Sequence, residues 1–306
     1  MELGSPILII GAGRSGTNFL SHVFEQDPRF WNSYENRYIW NYRQHTLAHD
    51  VRRAEEATSR VRRFIRSYFD RVAREKQRIV VDKTPSNIFR VGFVHAVLPD
   101  AKIVHIIRDG RDNVVSRRHE WFGGRQLSAD RSAGRSARYR LAFVKQRLGH
   151  LSTLVGRGNL PVSRWPTFLR DNASSFVANL LGGNPRRYGE RFPGMQECLD
   201  TYGLLQTGAI QWRMGVMHAV CEGRRLPASA YMELKYEDLL GQPEITWERL
   251  CDFLDLQTDG PAGEWLLANA RRDNFNKWHN EMTESERAAI EPHIRPTLEF
   301  LGYLWE

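Results

Sequence analysis

A glycine-rich loop near the amino terminus constrains the fold of this chain more than any other feature. Residues 6–10, PILII, form a short apolar run that ends at Gly11, and helical sequence follows from about Thr17 to Gln26. A buried strand, a tight glycine turn and a helix are therefore predicted in immediate succession. In such a turn the backbone N–H groups and the helix N-terminus face one point, so the loop is predicted to bind an anionic group.

Two later segments repeat this arrangement of strand, turn and helix. The run Ile79–Val81 leads into a predicted helix over 86–98, and the run at 102–107 leads into a helix that ends near residue 119. Continuously apolar strands that alternate with helices are typical of a parallel sheet covered on both faces. We therefore predict an α/β fold with a central, mostly parallel sheet flanked by helices. The same patterns predict helices at 206–222, 245–254 and 284–300 and a strand at 230–234.

The length of 306 residues is sufficient for one large domain with its own core. Residues 120–200 are rich in Gly, Arg, Ser and Pro, and we predict that they form short helices and loops that cap the sheet. We therefore treat 1–306 as a single domain with a variable helical cap. No segment approaches the roughly 18 apolar residues that span a bilayer, and no early run has the flanks of a signal peptide, so we expect a cytoplasmic location.

The net charge of +8 requires an anionic partner, but the charge alone does not distinguish nucleic acid, a membrane surface or a small polyanion. A basic nucleic-acid-binding protein is an alternative, although no recognised DNA- or RNA-binding module accompanies the charge. We therefore expect no nucleic-acid partner. The three cysteines lack metal-ligand spacing, so we expect no metal site either.

The glycine loop has two possible relatives among nucleotide-binding loops. Gly11 and Gly16 have the spacing of a nucleoside-triphosphate loop, but Thr17 stands where the phosphate-binding lysine is expected and Asn18 where a magnesium-binding hydroxyl is expected. An ATPase or kinase is therefore disfavoured. The loop also satisfies G-x-G-x-x-G, which keeps an NAD(P)- or FAD-dependent oxidoreductase as an alternative. That pattern expects a second strand ending in an acidic residue about 20 residues on, whereas residues 29–35 resemble a buried strand poorly.

A second anion site is predicted at the end of the 102–107 strand. Arg108 follows the strand directly, and Ser116 lies about two helical turns later. Two anion sites on one sheet suit a ligand that carries phosphates at both ends.

In four places the sequence resembles the sulfotransferase superfamily, in particular its tyrosylprotein and bacterial members. The loop beginning at Arg14 is similar to the P-loop-like 5'-phosphosulfate loop, and Arg108 with Ser116 is similar to the pair for the 3'-phosphate. Residues 234–240, LKYEDLL, are similar to a segment whose tyrosine lies near the nucleotide, and 277–278 to an element whose lysine reaches its phosphate. The resemblance thus assigns nucleotide binding to Arg14, Ser15, Gly16, Thr17, Asn18, Arg108, Ser116, Tyr236, Lys277 and Trp278.

The resemblance implies metal-independent sulfuryl transfer from 3'-phosphoadenosine 5'-phosphosulfate (PAPS) to a hydroxyl or amine, expected on a small molecule. The product nucleotide is 3'-phosphoadenosine 5'-phosphate (PAP). Such a reaction requires cations near the leaving phosphate, and Arg14 and Lys83 are the candidates. Glu35 resembles the glutamate that acts as general base in the tyrosylprotein and bacterial members, and no histidine occupies residues 82–87, where cytosolic small-molecule members place theirs.

Overall fold

Five parallel strands form the centre of the protein in the computed structural model, which describes residues 4–33, 35–44, 46, 48–122 and 189–305. The order across the sheet is β2-β3-β1-β4-β5, and each neighbouring pair is parallel. The predicted α/β fold with a parallel sheet is therefore confirmed. Within the described residues the strands are β1 (Ile7–Ile10), β2 (Phe30–Asn32), β3 (Ile79–Lys83), β4 (Lys102–Ile107) and β5 (Tyr231–Lys235).

Helices connect the strands and flank the sheet. The helix expected over 86–98 is interrupted, because Arg90 has an extended φ of −161° between a 3-10 turn and the α-helix that follows. The helix expected over 206–222 is confirmed as the second part of Met195–Gly223, because Gly203 has non-helical torsions (φ 73°, ψ −171°) that separate it from a preceding helical stretch. The described α-helices are Thr17–Glu25, Arg37–Trp40, Ser59–Lys76, Val91–Val97, Gly110–Phe122, Met195–Gly223, Tyr236–Gly241, Pro243–Leu254, Pro261–Asn269, Trp278–Glu281 and Glu284–Phe300, and the described 3-10 turns are Ala54–Glu56, Pro85–Phe89 and Arg272–Asn274.

Residues 29–35 were not expected to contain a buried strand, and this expectation was wrong, because Phe30–Asn32 forms β2. Phe30–Asn32 pairs with the first residues of β3. It is an edge strand and needs only one neighbour, so a short apolar run suffices. Its polar Asn32 is buried, and the side-chain amide is satisfied because it donates to the backbone oxygen of Ser21 at 3.1 Å.

Both faces of the sheet are covered by apolar side chains. Along β1, Leu8 and Ile10 belong to one core cluster, and Ile7 and Ile9 belong to the other. Successive side chains of a strand point to opposite faces, so a strand buried on both sides must be apolar at every position. This explains the continuous PILII run from which the fold was predicted.

The predicted cap over 120–200 falls largely on 123–188, which lies outside the described residues. The single-domain organisation accordingly stays a prediction. Over the ranges that the structure describes, we find no helix with both the length and the apolar character needed to cross a membrane.

Candidate functional site

The predicted site residues gather at one edge of the sheet, where β3, β1 and β4 end. Ile9 of β1 is in register with Lys83 of β3, and Ile10 is in register with His105 of β4. In a parallel sheet the carboxyl ends of neighbouring strands share one edge, and ligands of open α/β sheets bind there. The order of the strands therefore brings the glycine loop between Lys83 and Arg108.

The glycine loop turns sharply into the first helix. The N–H of Ser15 donates to the carbonyl oxygen of Ala12 at 3.0 Å, and Arg14 and Gly16 both have positive φ, 73° and 90°. A Cβ atom at Gly16 would lie 2.2 Å from Cδ2 of Tyr236, so the close approach of the tyrosine ring requires glycine here. The sequence predicted the turn but not the partner that presses against it.

The next two residues of the loop lie in the first helical turn. Thr17 is buried and its methyl group faces the position of a Cβ at Gly11, whereas Asn18 is exposed to solvent. Both residues stand at the N-terminus of Thr17–Glu25, where backbone N–H groups lack helical acceptors.

The back of the loop is held by polar side chains that the sequence analysis did not single out. The Asn113 amide donates to the carbonyl oxygen of Gly13 at 2.9 Å and to the Ser15 hydroxyl at 3.0 Å. The carboxylate of Glu190 accepts the N–H of Gly13 at 2.9 Å. Arg117 contacts both holders, since its guanidinium donates to Asn113 at 2.6 Å and pairs with Glu190.

Arg14, Arg108, Ser116 and Tyr236 form one cluster beside the loop. Arg14 Nε donates to the Ser116 hydroxyl at 3.2 Å, and Arg108 Nη1 donates to the backbone oxygen of Arg14 at 3.2 Å. The Arg108 guanidinium also lies over the Tyr236 ring, 4.9 Å from its centroid. Arg108 Nε is buried and has no hydrogen-bond partner among the described residues. The two predicted anion sites are therefore adjacent.

Asp112 connects this cluster to a segment more than 160 residues away along the chain. Its carboxylate accepts the backbone N–H groups of Asn276 at 2.6 Å and Trp278 at 3.0 Å, and it also pairs with Arg108 at 3.3 Å. The segment around Lys277 is thereby fixed near the second anion site. The lysine Nζ itself donates to Asn274 Oδ1 at 3.3 Å.

Trp278 is placed differently from the other predicted binding residues. Its side chain is only 1% exposed, and its ring packs on the guanidinium of Arg111 at 3.8 Å. This buried packing anchors the segment that carries Lys277. Its predicted contact with a nucleotide stays a prediction.

Lys83 and Glu35 form an ion pair at the end of β3. Lys83 Nζ lies 2.8 Å from Glu35 Oε1; the lysine side chain is 4% exposed and the glutamate side chain 42% exposed. Lys83 does not pair with Asp82, its neighbour in sequence, because successive residues of a strand point to opposite faces. The pair therefore places a nearly buried cation beside an accessible carboxylate.

Asp82 instead fixes the segment that carries Glu35. Its carboxylate accepts hydrogen bonds from Ser33 Oγ at 3.1 Å, Asn36 Nδ2 at 3.0 Å and Trp40 Nε1 at 2.9 Å. Burial raises the pKa of Asp82, although these hydrogen bonds act in the opposite direction. The geometry of Glu35 thus depends on an aspartate that lies next to Lys83 in sequence.

The described residues contain no group of three or more His, Cys, Asp or Glu side chains arranged to hold a metal ion. The arrangement that they do contain is a row of cations, Lys83, Arg14 and Arg108, along the carboxyl edge of three strands. Such a row can neutralise an anion and stabilise negative charge that develops on it.

Comparison with known proteins gives a family for this arrangement. Residues 6–152 and 169–260 match the sequence profile of a family described as the sulfotransferase family. No curated protein sequence matches the chain. The chain is similar in fold to the sulfotransferase domain from the curacin biosynthetic pathway, with 14% identity, 100% of each chain covered and a TM-score of 0.50. It is also similar in fold to the sulfotransferase domain from the Synechococcus PCC 7002 olefin synthase, with 14% identity, 100% of this chain and 98% of that chain covered, and a TM-score of 0.51.

The replacement of Asp112 by alanine tests how much the site depends on this carboxylate. Asp112→Ala leaves two backbone N–H groups without their acceptor and Arg108 without its carboxylate partner, so we expect the free energy of unfolding to fall by roughly 3 to 5 kcal/mol. Urea denaturation measures the loss, with the exposed Asp259→Ala as the control that should change stability by less than about 0.5 kcal/mol. Equal stability of the two variants would show that Asp112 does not hold the late segment.

Proposed function

Because the chain belongs to the sulfotransferase family, we propose that it transfers a sulfuryl group from PAPS to a hydroxyl or amine of a small-molecule acceptor. The observation that carries this proposal is the row of Lys83, the glycine loop and Arg108 along one edge of the sheet, with Glu35 paired to the lysine. The row offers two adjacent anion sites and a carboxylate, which suit a doubly phosphorylated donor and a protic acceptor.

The donor is held at both of its anionic ends in this proposal. The N–H groups from Gly16 to Asn18, at the start of the first helix, bind the 5'-phosphosulfate, while the Ser15 N–H closes the turn on Ala12. Arg108 and Ser116 bind the 3'-phosphate, and the buried Arg108 Nε supports this assignment, because a buried donor without an acceptor is costly unless a ligand supplies one. Tyr236 and Lys277 complete the nucleotide site in this proposal, and Trp278 supports the position of Lys277 from the core.

Lys83 and Arg14 stabilise the charge that develops during transfer. When the acceptor oxygen or nitrogen bonds to sulfur, the bond between sulfur and the bridging phosphate oxygen breaks, and PAP leaves with the electron pair. Negative charge then grows on the 5'-phosphate. Lys83 is almost excluded from water and its strand adjoins β1, so its ammonium group interacts strongly with that charge.

Glu35 accepts the proton that the acceptor loses. Its carboxylate is more exposed than Lys83, and its oxygen lies within hydrogen-bond distance of the lysine ammonium. In this proposal Lys83 contacts both the base and the leaving phosphate, and the acceptor attacks sulfur in line with the bond that breaks.

The strand order argues against the oxidoreductase alternative. In the dinucleotide-binding fold the order is 3-2-1-4-5-6, so the acid at the end of the second strand lies beside β1 and reaches the ribose. Here β3 lies between β1 and β2. An acidic residue after β2, such as Glu35, is therefore one strand further from the glycine loop, beside Lys83 instead of a ribose.

The replacement of Arg108 tests the assignment of the 3'-phosphate site. We expect Arg108→Ala to weaken PAP binding roughly tenfold or more, because a charge-assisted hydrogen bond is lost. Isothermal calorimetry measures the affinity, with adenosine 5'-phosphate as the matched ligand that lacks only the 3'-phosphate. Its affinity should be the same for both proteins. Equal PAP affinity in the two proteins would remove Arg108 from the 3'-phosphate site.

The replacement of Glu35 tests the assignment of the base. Glu35→Gln keeps an oxygen acceptor for Lys83 but loses basicity, so we expect turnover to fall about 100-fold or more while PAP affinity is unchanged. Transfer from ³⁵S-labelled PAPS is measured on a phenol, alcohol or amine that the wild-type protein sulfates. Glu75→Gln, an exposed glutamate of the helix Ser59–Lys76, is the control. Full turnover in Glu35→Gln would contradict the assignment.

A further inference from the structure

Three consecutive residues, Gly189, Glu190 and Arg191, contact both halves of the proposed site. They follow the undescribed residues 123–188, and no local sequence pattern marks them. Glu190 contacts the glycine loop, whereas its two neighbours contact the segment after Glu35.

Glu190 holds the glycine loop from behind. Its Oε1 accepts the Gly13 N–H, and the same oxygen pairs with Arg117, which also donates to Asn113. The backbone oxygen of Glu190 accepts from the Gln211 side chain. Glu190 is 1% exposed, so its buried charge requires the opposite charge of Arg117. Loss of the carboxylate would leave the Gly13 N–H, at the start of the glycine loop, without its acceptor.

Arg191 and Gly189 hold the segment after Glu35. Asp50, which is fully buried, accepts the Arg191 N–H at 2.8 Å and the Arg191 guanidinium at 3.2 Å. The same carboxylate pairs with Arg37 at 3.4 Å, and Arg37 also donates to the carbonyl oxygen of Gly189 at 3.2 Å. Arg37 begins the short helix two residues after Glu35.

Asp50 is ionised, and its charge favours a fixed arrangement of Arg37 and Arg191 around it. Burial alone would raise the pKa of Asp50, but the nearby Arg37 and Arg191 outweigh burial and hold the pKa below its ordinary value. A buried carboxylate that stays ionised between two guanidinium groups favours one arrangement of all three, because separation of any partner leaves a buried charge unpaired.

We propose that Glu190 and Arg191 are positioning residues that hold the glycine loop and the Glu35 segment in one fixed relation. Glu190 acts through Gly13, and Arg191 acts through Asp50 and Arg37. Neither residue is required to touch the donor or the acceptor. This inference rests on the proposed function, because the fixed relation matters only if the loop holds a donor that reacts near Glu35.

Two variants separate the two halves of this connection. In Glu190→Ala we expect roughly tenfold weaker PAP binding and roughly tenfold faster amide hydrogen exchange in peptides covering 11–18. Glu190→Gln keeps an oxygen for the Gly13 N–H but leaves the buried Arg117 without its counter-ion, so both effects should lie between those of Glu190→Ala and wild type. In Arg191→Gln, which removes one of the guanidinium groups that pair with the buried Asp50, we expect faster exchange in peptides covering 35–44, with PAP affinity within about twofold of wild type. Calorimetry measures the affinity, and exchange is followed by mass spectrometry without nucleotide.

The control is Glu222→Gln, since Glu222 also accepts a backbone N–H, from Gly92 at 2.8 Å, but lies outside the proposed site. It should change neither PAP affinity nor exchange in either segment. Unchanged loop exchange in Glu190→Ala, or unchanged exchange over 35–44 in Arg191→Gln, would overturn the proposal. An equal increase of exchange in the β4 peptide 102–107 would also overturn it, because the effect would then be a general loss of stability. If wild-type protein fails to bind PAP, the proposed function fails, whereas the exchange comparison still decides the positioning role.

Discussion

The site depends on the parallel pairing of β1 with β3 on one side and β4 on the other. This pairing makes three strands end at the same edge, so that Arg14, Lys83 and Arg108, which are far apart along the chain, come close together. The strand order alone therefore places Lys83 and Arg108 on either side of the glycine loop. A change in strand order would preserve every motif and separate the cations.

Buried acidic residues fix the positions of the loops around the site, which the strand order does not determine. Asp82 holds the segment with Glu35, Asp112 holds the segment with Lys277, and Glu190 holds the glycine loop. Each accepts backbone or side-chain N–H groups that would otherwise be buried without partners. Buried charges of this kind add little net stability, since their desolvation offsets their pairing, but they penalise every other arrangement. Their main effect in this site is therefore geometric.

The amino-acid sequence predicts the fold well where patterns are local. The apolar runs of β1 and β3 are continuous because both faces are buried, and that of β4 is interrupted only by the buried His105, so each was recognised from a few residues. The strand Phe30–Asn32 was not predicted, because an edge strand needs only a short apolar run and tolerates a polar residue. The interruption of the 86–98 helix at Arg90 was missed, because the torsions of one residue depart from the helical range there. The helical stretch that precedes the kink at Gly203 was also missed, whereas the helix after the kink was predicted.

The candidate site was predicted only in part for a related reason. The loop, Arg108 and Ser116 lie in compact motifs, and Glu35 was recognised through a resemblance. Glu190 contacts Gly13 across 177 residues of chain, and no periodicity or spacing indicates such a contact. Asn113 and Asp112 lie within the Arg108 motif, but their partners become visible only when the strands are placed side by side.

The central claim is that the glycine loop binds a nucleotide with phosphates at both the 3' and 5' positions. A thermal-shift titration of the wild-type protein with PAP, ATP, NAD and NADP tests it most directly, because a ligand at 100 times its dissociation constant stabilises the folded state by about 2.7 kcal/mol. The account predicts a rise in melting temperature with PAP and none with NAD or NADP. A rise with NAD or NADP and no response to PAP would contradict it.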